Sequence, residues 1–206
     1  MAKAPVAGLA KTRLAPALGA AGAAALAEAL LRHAVAAASH AAPGQVVLWA
    51  APDATHPVFA ELARQHGVAL AVQPASPDLG QRMAAVFKAG FAASTGPLML
   101  MGSDIPALGA ARLQQAAAAL QRHAVVFVPA LDGGYALVGL RADAEDRHPG
   151  LHAALFHGMT WSTASVMARS RERLAALGVV AAELDAVPDI DEPADLVHLP
   201  AHLAPR

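Results

Sequence analysis

Four clusters in this chain have the residue types and spacing to do chemistry. The first is "AKAPVAGLAKTRLAP", Ala2 to Pro16, where Lys3, Lys11, Thr12 and Arg13 offer ammonium, hydroxyl and guanidinium donors. Pro5, Gly8 and Pro16 forbid a regular helix there, so the donors belong to a loop. A loop of this kind can hold a diphosphate, because arginine supplies a planar fork and lysine a compact charge. The chain has only three lysines, and the third, Lys88, is far away. The spacing matches neither the Walker A pattern nor G-x-G-x-x-G, and the competing reading is a basic, solvated surface segment.

The other three clusters are acidic. In "LMLMGSDIPAL" an apolar strand ends at Gly102, Ser103 and Asp104, with Pro106 following. The Asp104 carboxylate could bind a hard divalent cation and share it with phosphate, or it could cap a helix. "PDIDEPADL" holds Asp189, Asp191 and Asp195 within one short stretch beside Pro193. Asp191 is placed either to cap the helix that starts there or to act as a metal ligand, and it is the stronger ligand candidate of the first two. "ALDGGYALVGL" sets Asp132, Gly133 and Gly134 before Tyr135. Asp-Gly-Gly is a hairpin signal, yet paired glycines also let a substrate approach the backbone, with Asp132 and the Tyr135 hydroxyl available to bind a sugar or act as base.

These clusters need elements to position them. Apolar, β-rich runs at 45–50, 68–73, 97–102, 124–129, 135–140 and 179–185 read as strands. The intervening 20–41, 56–66, 79–93, 109–123 and 163–177 read as helices, with Gly67, Gly96 and Gly178 as stops. Ser162 or Thr163 is the expected cap of the last helix, and Trp161 beside it is either core or a ring-stacking platform. This alternation predicts a mostly parallel sheet covered by helices, with ligands at the C-terminal strand ends. The acidic motifs all fall there. Only Met1 precedes the opening loop, so the first strand is expected to be shortened or missing. The Gly- and His-rich stretch 141–162 reads as a mobile flap. His148, His152 and His157 within it are more simply polar surface residues than a zinc site.

Composition narrows the function. With 206 residues, 56% hydrophobic content and a formal net charge of -1, the chain fits one globular domain over 1–206 and does not read as a nucleic-acid binder. Much of its apolar content is alanine, so no stretch reads as a membrane span. There is no cysteine, hence no disulfide framework or thiolate metal site, and no signal-peptide pattern; a cytoplasmic location is expected. Trp49, Phe59 and Phe91 read as core, with a homo-oligomer interface left open.

Taken together and in order, "AKAPVAGLAKTRLAPALG", "GSDIPAL", "PALDGGYALVGL", "MTWSTASV" and "DIDEPADL" resemble the DUF2064 family within the GT-A, or nucleotide-diphospho-sugar transferase, fold. The likeness covers nearly the whole chain. It implies that the opening loop embraces a nucleotide and its diphosphate, and that Asp104 stands where related transferases keep a metal-binding aspartate. Lys-Thr-Arg-Leu is also similar to the "KSRL" stretch of 2-phospholactate guanylyltransferases, which makes nucleotidyl transfer the rival activity. The "LAGG" opening of molybdenum-cofactor guanylyltransferases and sugar nucleotidylyltransferases is absent.

The combined expectation is a single-domain α/β glycosyltransferase acting on a nucleotide-sugar donor and a small-molecule acceptor. Lys3, Pro5, Lys11, Thr12, Arg13, Ser103, Gly133, Gly134 and Tyr135 would hold the nucleotide sugar. Mg²⁺ or Mn²⁺ would sit on Asp104 and Asp191, and Asp132 would orient or deprotonate the acceptor. A non-catalytic nucleotide-sugar-binding protein is the alternative from a different class.

Overall fold

The computed structural model describes residues 1–204, and the chain divides into two compact units. The first comprises Met1–Gln73, Gly102–Leu113 and the chain from Pro188; the second comprises Pro74–Met101 and Gln114–Val187.

In the first unit, β1 (Ala2–Lys3), α1 (Ala15–Ala41), β2 (Val47–Ala51), α2 (Pro57–His66) and β3 (Ala69–Val72) follow one another. The strands pair in the order β1-β2-β3, all parallel, with Ala2 opposite Ala50 and Val47 opposite Ala69. Parallel neighbours need a crossover, and α1 and α2 supply one each. Leu31 and Val35 of α1 and Phe59 and Leu62 of α2 pack onto Leu48 and Ala50 of β2.

β1 spans two residues, Ala2 and Lys3. Buried Gln73 ties β1 to β2 from the end of β3: its amide Nε2 donates to Ala2 O at 3.1 Å and to Trp49 O at 3.0 Å. Gly19 leaves helical geometry at φ 70, ψ 165, so the regular part of α1 begins after it, in line with the predicted start at residue 20.

Together with the short turn before it, α1 is long and apolar enough to cross a membrane by length and composition. Here it is the packing helix of its unit. Leu26, Leu30, Leu31 and Val35 are buried, and Arg32 on the same helix is bound to Glu28 and Glu61.

The second unit carries α3 (Leu79–Ala93), β4 (Leu98–Met101), the end of α4 (Ala110–Ala119), β5 (Val125–Pro129), β6 (Tyr135–Leu140), α5 (Ala144–Arg147), α6 (Leu151–Phe156), α7 (Val166–Ala176) and β7 (Ala182–Glu183). Its sheet runs β4-β6-β5-β7, antiparallel at β6 and parallel between β5 and β7. All of β5 is buried, as an apolar run with both faces covered should be. Gly139 permits close packing: a Cβ there would stand 2.7 Å from Val126 Cγ1 and 2.9 Å from Leu120 Cδ1.

Three expectations are corrected in this unit. The stretch 141–162 is packed, not a flap: it forms α5 and α6, and Leu151, Leu155 and Phe156 are buried, with Phe156 stacked on Phe87 at 5.5 Å. His152 within it packs beside Phe91 and Phe156. The last predicted strand, 179–185, pairs only at Ala182–Glu183. Finally, α7 is preceded by Ser165 rather than Ser162 or Thr163; Thr163 bonds Thr160 O and Ser165 Oγ, and Ser162 takes a left-handed conformation at φ 58.

Candidate functional site

The opening loop is built by its own backbone. The N–H groups of Leu9 and Ala10 donate to Val6 O, and Leu14 N donates to Lys11 O, closing a turn over Thr12–Leu14. Leu14 is fully buried against Leu26, Leu30, Ile190 and Leu203. Burying side chains such as Leu14 and Ile190 contributes roughly 1.5–3 kcal/mol each. This cluster fastens two distant pieces of chain, the opening turn and the segment before Asp191, to the same helix.

The acidic motifs are fastened to each other as well. Ile190 N donates to Asp104 O at 3.1 Å. The Asp195 carboxylate accepts from the N–H groups of Asp191 at 3.0 Å and Glu192 at 2.7 Å, and Glu192 completes a capping box at the start of Pro193–His198. Capping thus falls to Glu192 and Asp195, and the Asp191 side chain is turned to Lys11 and Arg13. Asp104 likewise lies well before α4 and its carboxylate faces Lys11.

The side chains then converge. Lys11 Nζ donates to Asp104 Oδ2 at 2.8 Å and to Asp191 Oδ1 at 3.3 Å. Arg13 Nη1 donates to Asp191 Oδ2 at 2.8 Å and stands 3.6 Å from Glu192 Oε1. The two cations differ in burial, with Lys11 11% and Arg13 63% exposed. The exposed arginine pair contributes little to stability, about 0–1 kcal/mol. The lysine is shared by two carboxylates in a drier setting, where charge interactions are stronger.

Of the remaining predicted residues of this unit, Thr12 lies between Lys11 and Arg13 in sequence and Ser103 precedes Asp104. Lys3 is exposed at the end of β1, Pro5 is buried, Thr12 is exposed and Ser103 is partly buried next to Asp104. Two residues that the sequence reading did not select also shape the region. One is Gln73, which holds β1. The other is Gly102, where a Cβ would lie 2.8 Å from Asp104 Oδ1 and 3.0 Å from Ile105 Cδ1. A polar residue closing an apolar strand, and a glycine just before the aspartate, were the available signals.

The carboxylate pair fits a divalent cation. Asp104 and Asp191 both reach one point, which Lys11 Nζ marks, and Gly102 leaves Asp104 Oδ1 uncrowded. Among the described residues no group of three or more histidine or acidic side chains forms a fuller metal cage. Two carboxylates, completed by water and phosphate oxygens, is the arrangement Mg²⁺ favours at phosphate sites.

In the second unit, Asp132 to Gly134 lie in the turn between β5 and β6, and Tyr135 opens β6 opposite Pro129. Asp132 Oδ1 accepts from Gly134 N at 2.8 Å, an Asx turn that puts the motif's hairpin role on view. Gly133 has φ 89, and a Cβ on it would stand 2.2 Å from Ala164 O, so a side chain cannot fit.

Tyr135 packs between Phe127 and Trp161, and its hydroxyl points to Met83 Sδ at 3.8 Å. Burial pushes the phenol pKa well above its ordinary value.

Against known proteins, the family profile described as "Uncharacterized protein conserved in bacteria (DUF2064)" matches residues 25–163, more than half of the chain. The match includes Asp104 and Asp132–Tyr135. A search of curated proteins gives no match. Among solved structures, a protein from Desulfovibrio desulfuricans G20, provisionally assigned as a nucleotide-diphospho-sugar transferase, superposes with a TM-score of 0.80 at 28% identity, covering 94% of this chain and 81% of that one. A cytidylyltransferase from Leptospira borgpetersenii serovar Hardjo-bovis gives a TM-score of 0.55 at 12% identity, covering 81% of this chain and 72% of the other. The latter shares the fold alone. The α/β architecture is that of the nucleotide-diphospho-sugar transferases.

Proposed function

Because the chain belongs to the DUF2064 family and has the nucleotide-diphospho-sugar transferase fold, we propose that it is a metal-dependent transferase that takes a nucleotide-diphospho-sugar donor and passes the glycosyl group to a small-molecule acceptor. The observation that carries this reading is the convergence of Lys11 and Arg13 with Asp104 and Asp191, side chains brought from three separate parts of the sequence.

A departing nucleoside diphosphate needs its developing negative charge stabilised, and preorganised cations do this at least cost when they are fixed before substrate arrives. The turn over Thr12–Leu14 fixes the backbone that delivers Lys11, so its ammonium is already at the site. Arg13 is held on Asp191 with most of its surface exposed, and so can extend a planar fork to a phosphate oxygen. Lys3, which is exposed, adds a third cation from the same segment. Asp104 and Asp191 would hold Mg²⁺ or Mn²⁺, which when bound supplies further charge stabilisation to the diphosphate. Asp132 is proposed to serve the acceptor hydroxyl, with Gly134 N holding one of its oxygens.

The test is product analysis with candidate nucleotide sugars and the divalent cation. The reading expects release of a nucleoside diphosphate and its loss in Asp104→Asn. Release of pyrophosphate from a nucleoside triphosphate would overturn glycosyl transfer in favour of nucleotidyl transfer. Donor binding that needs no metal and leads to no turnover would overturn catalysis.

A further inference from the structure

The cation that lies between Asp104 and Asp191 belongs to the chain itself. Lys11 Nζ contacts both carboxylates, at 2.8 and 3.3 Å, from a side chain that is 11% exposed. Its backbone is left-handed, φ 47 and ψ 43, a conformation that residues bearing a Cβ avoid. The surrounding turn and buried Leu14 impose it, and it sets the direction in which the lysine leaves the loop.

The charges can be counted around this point. Asp104, Asp191 and Glu192 are met by Lys11 and Arg13, which leaves these side chains one negative charge in excess. The two aspartates are tied by the Ile190 N to Asp104 O bond and would repel each other without a cation between them. A divalent ion and the lysine ammonium cannot share that place, because each repels the other. A diphosphate bound beside the metal would offer the lysine a new set of acceptors.

Resting on the functional reading above, we propose that Lys11 is an exchangeable counter-ion: it holds the Asp104–Asp191 pair in the free protein and moves onto the diphosphate when a divalent cation takes the pair. Arg13 stays on Asp191 Oδ2 and keeps that carboxylate oriented during the exchange. Metal alone must then compete with Lys11 and binds weakly. Metal and diphosphate together bind cooperatively, since each gives the other's displaced charge a partner.

The experiment measures Mn²⁺ alone, by the electron paramagnetic resonance signal of the free ion, against the full-length wild type, Lys11→Met and the double variant Lys11→Met/Asp104→Asn. Removing the competing charge should tighten Mn²⁺ binding by about tenfold or more, and the double variant should lose that gain. Lys11→Gln carries the same expectation should the methionine variant not fold, with folding followed by circular dichroism. If wild type binds Mn²⁺ and neither lysine variant binds it more tightly, the exchange is overturned while the transferase reading stands. If no protein in the series binds Mn²⁺ at millimolar concentration, the metal assignment itself falls and the exchange with it.

Discussion

Asp104 and Asp132 look alike in sequence, each an aspartate after an apolar strand with a glycine within two residues, yet their carboxylates find different partners. Asp104 turns its carboxylate to Lys11, which a separate part of the chain delivers, and a main-chain bond from Ile190 fixes its loop. Asp132 gives one oxygen to the N–H of Gly134, two residues on. A carboxylate answered by its own turn is explained by folding. A carboxylate answered by a partly buried cation from a distant loop needs a further reason, and charge recognition supplies one.

The largest expected effect separates the two directly. Asp104→Asn should lower metal-dependent turnover by about a hundredfold or more, since it removes a charge from the cation cluster. A variant that keeps full turnover would remove Asp104 from the site. Gly133→Ala comes next. The methyl group would meet the Ala164 backbone, and the residue would be held at φ 89, so a loss of about 3 kcal/mol is expected in urea unfolding. A neutral result would mean that the β5–β6 turn yields more easily than its packing indicates.

A smaller effect sharpens the role of Asp132. Asp132→Ala removes the Asx turn and should cost about 1 kcal/mol of stability, whereas Asp132→Asn keeps an oxygen for Gly134 N and should fold normally. If Asp132 also serves the acceptor, the asparagine variant folds and loses turnover. Full turnover in that variant would leave the residue with its turn alone.

The smallest effect concerns α6. Burial alone would raise the pKa of Glu145, but hydrogen bonds from the N–H groups of His152 and Gly150 outweigh it and hold the carboxyl below its ordinary range. A lowered folded pKa means that the stabilisation is complete above the unfolded glutamate pKa and is lost as pH falls through the folded value. The group is 40% exposed, so solvent screens the effect and it should be modest. Glu145→Gln should flatten the acid limb of a melting-temperature profile. An unchanged limb would show that those two bonds do not persist in solution.

Much of the fold was legible because local signals and tertiary packing agree. The predicted 79–93 matches α3 at both ends, where the Asp78 carboxylate accepts from Gln81 N and sets the start. β6 likewise occupies the predicted 135–140, an apolar run bounded by a glycine turn. The stretch 141–162 was misread because α5 and α6 are too short to show a helical period. Their burial depends on Phe87, which no local pattern announces.

The site was legible as a set of residue types but not as a set of pairs. Lys11, Arg13, Asp104 and Asp191 stand out by chemistry, and the contacts that single them out span most of the chain. The capping of Pro193–His198 fell to Glu192 and Asp195 because Asp191 was drawn to the cations, a competition decided by tertiary structure.

The cluster of Lys11, Arg13, Asp104 and Asp191 is proposed to bind a nucleotide diphosphate with a divalent cation. The most direct measurement is a melting-temperature panel of UDP-, GDP-, CDP- and dTDP-sugars and the matching triphosphates, each with and without Mn²⁺, on wild type and Asp104→Asn. A Mn²⁺-dependent rise with one diphospho-sugar that Asp104→Asn abolishes is the expected result. A rise with a triphosphate alone, or one that is indifferent to both Mn²⁺ and Asp104, would contradict it.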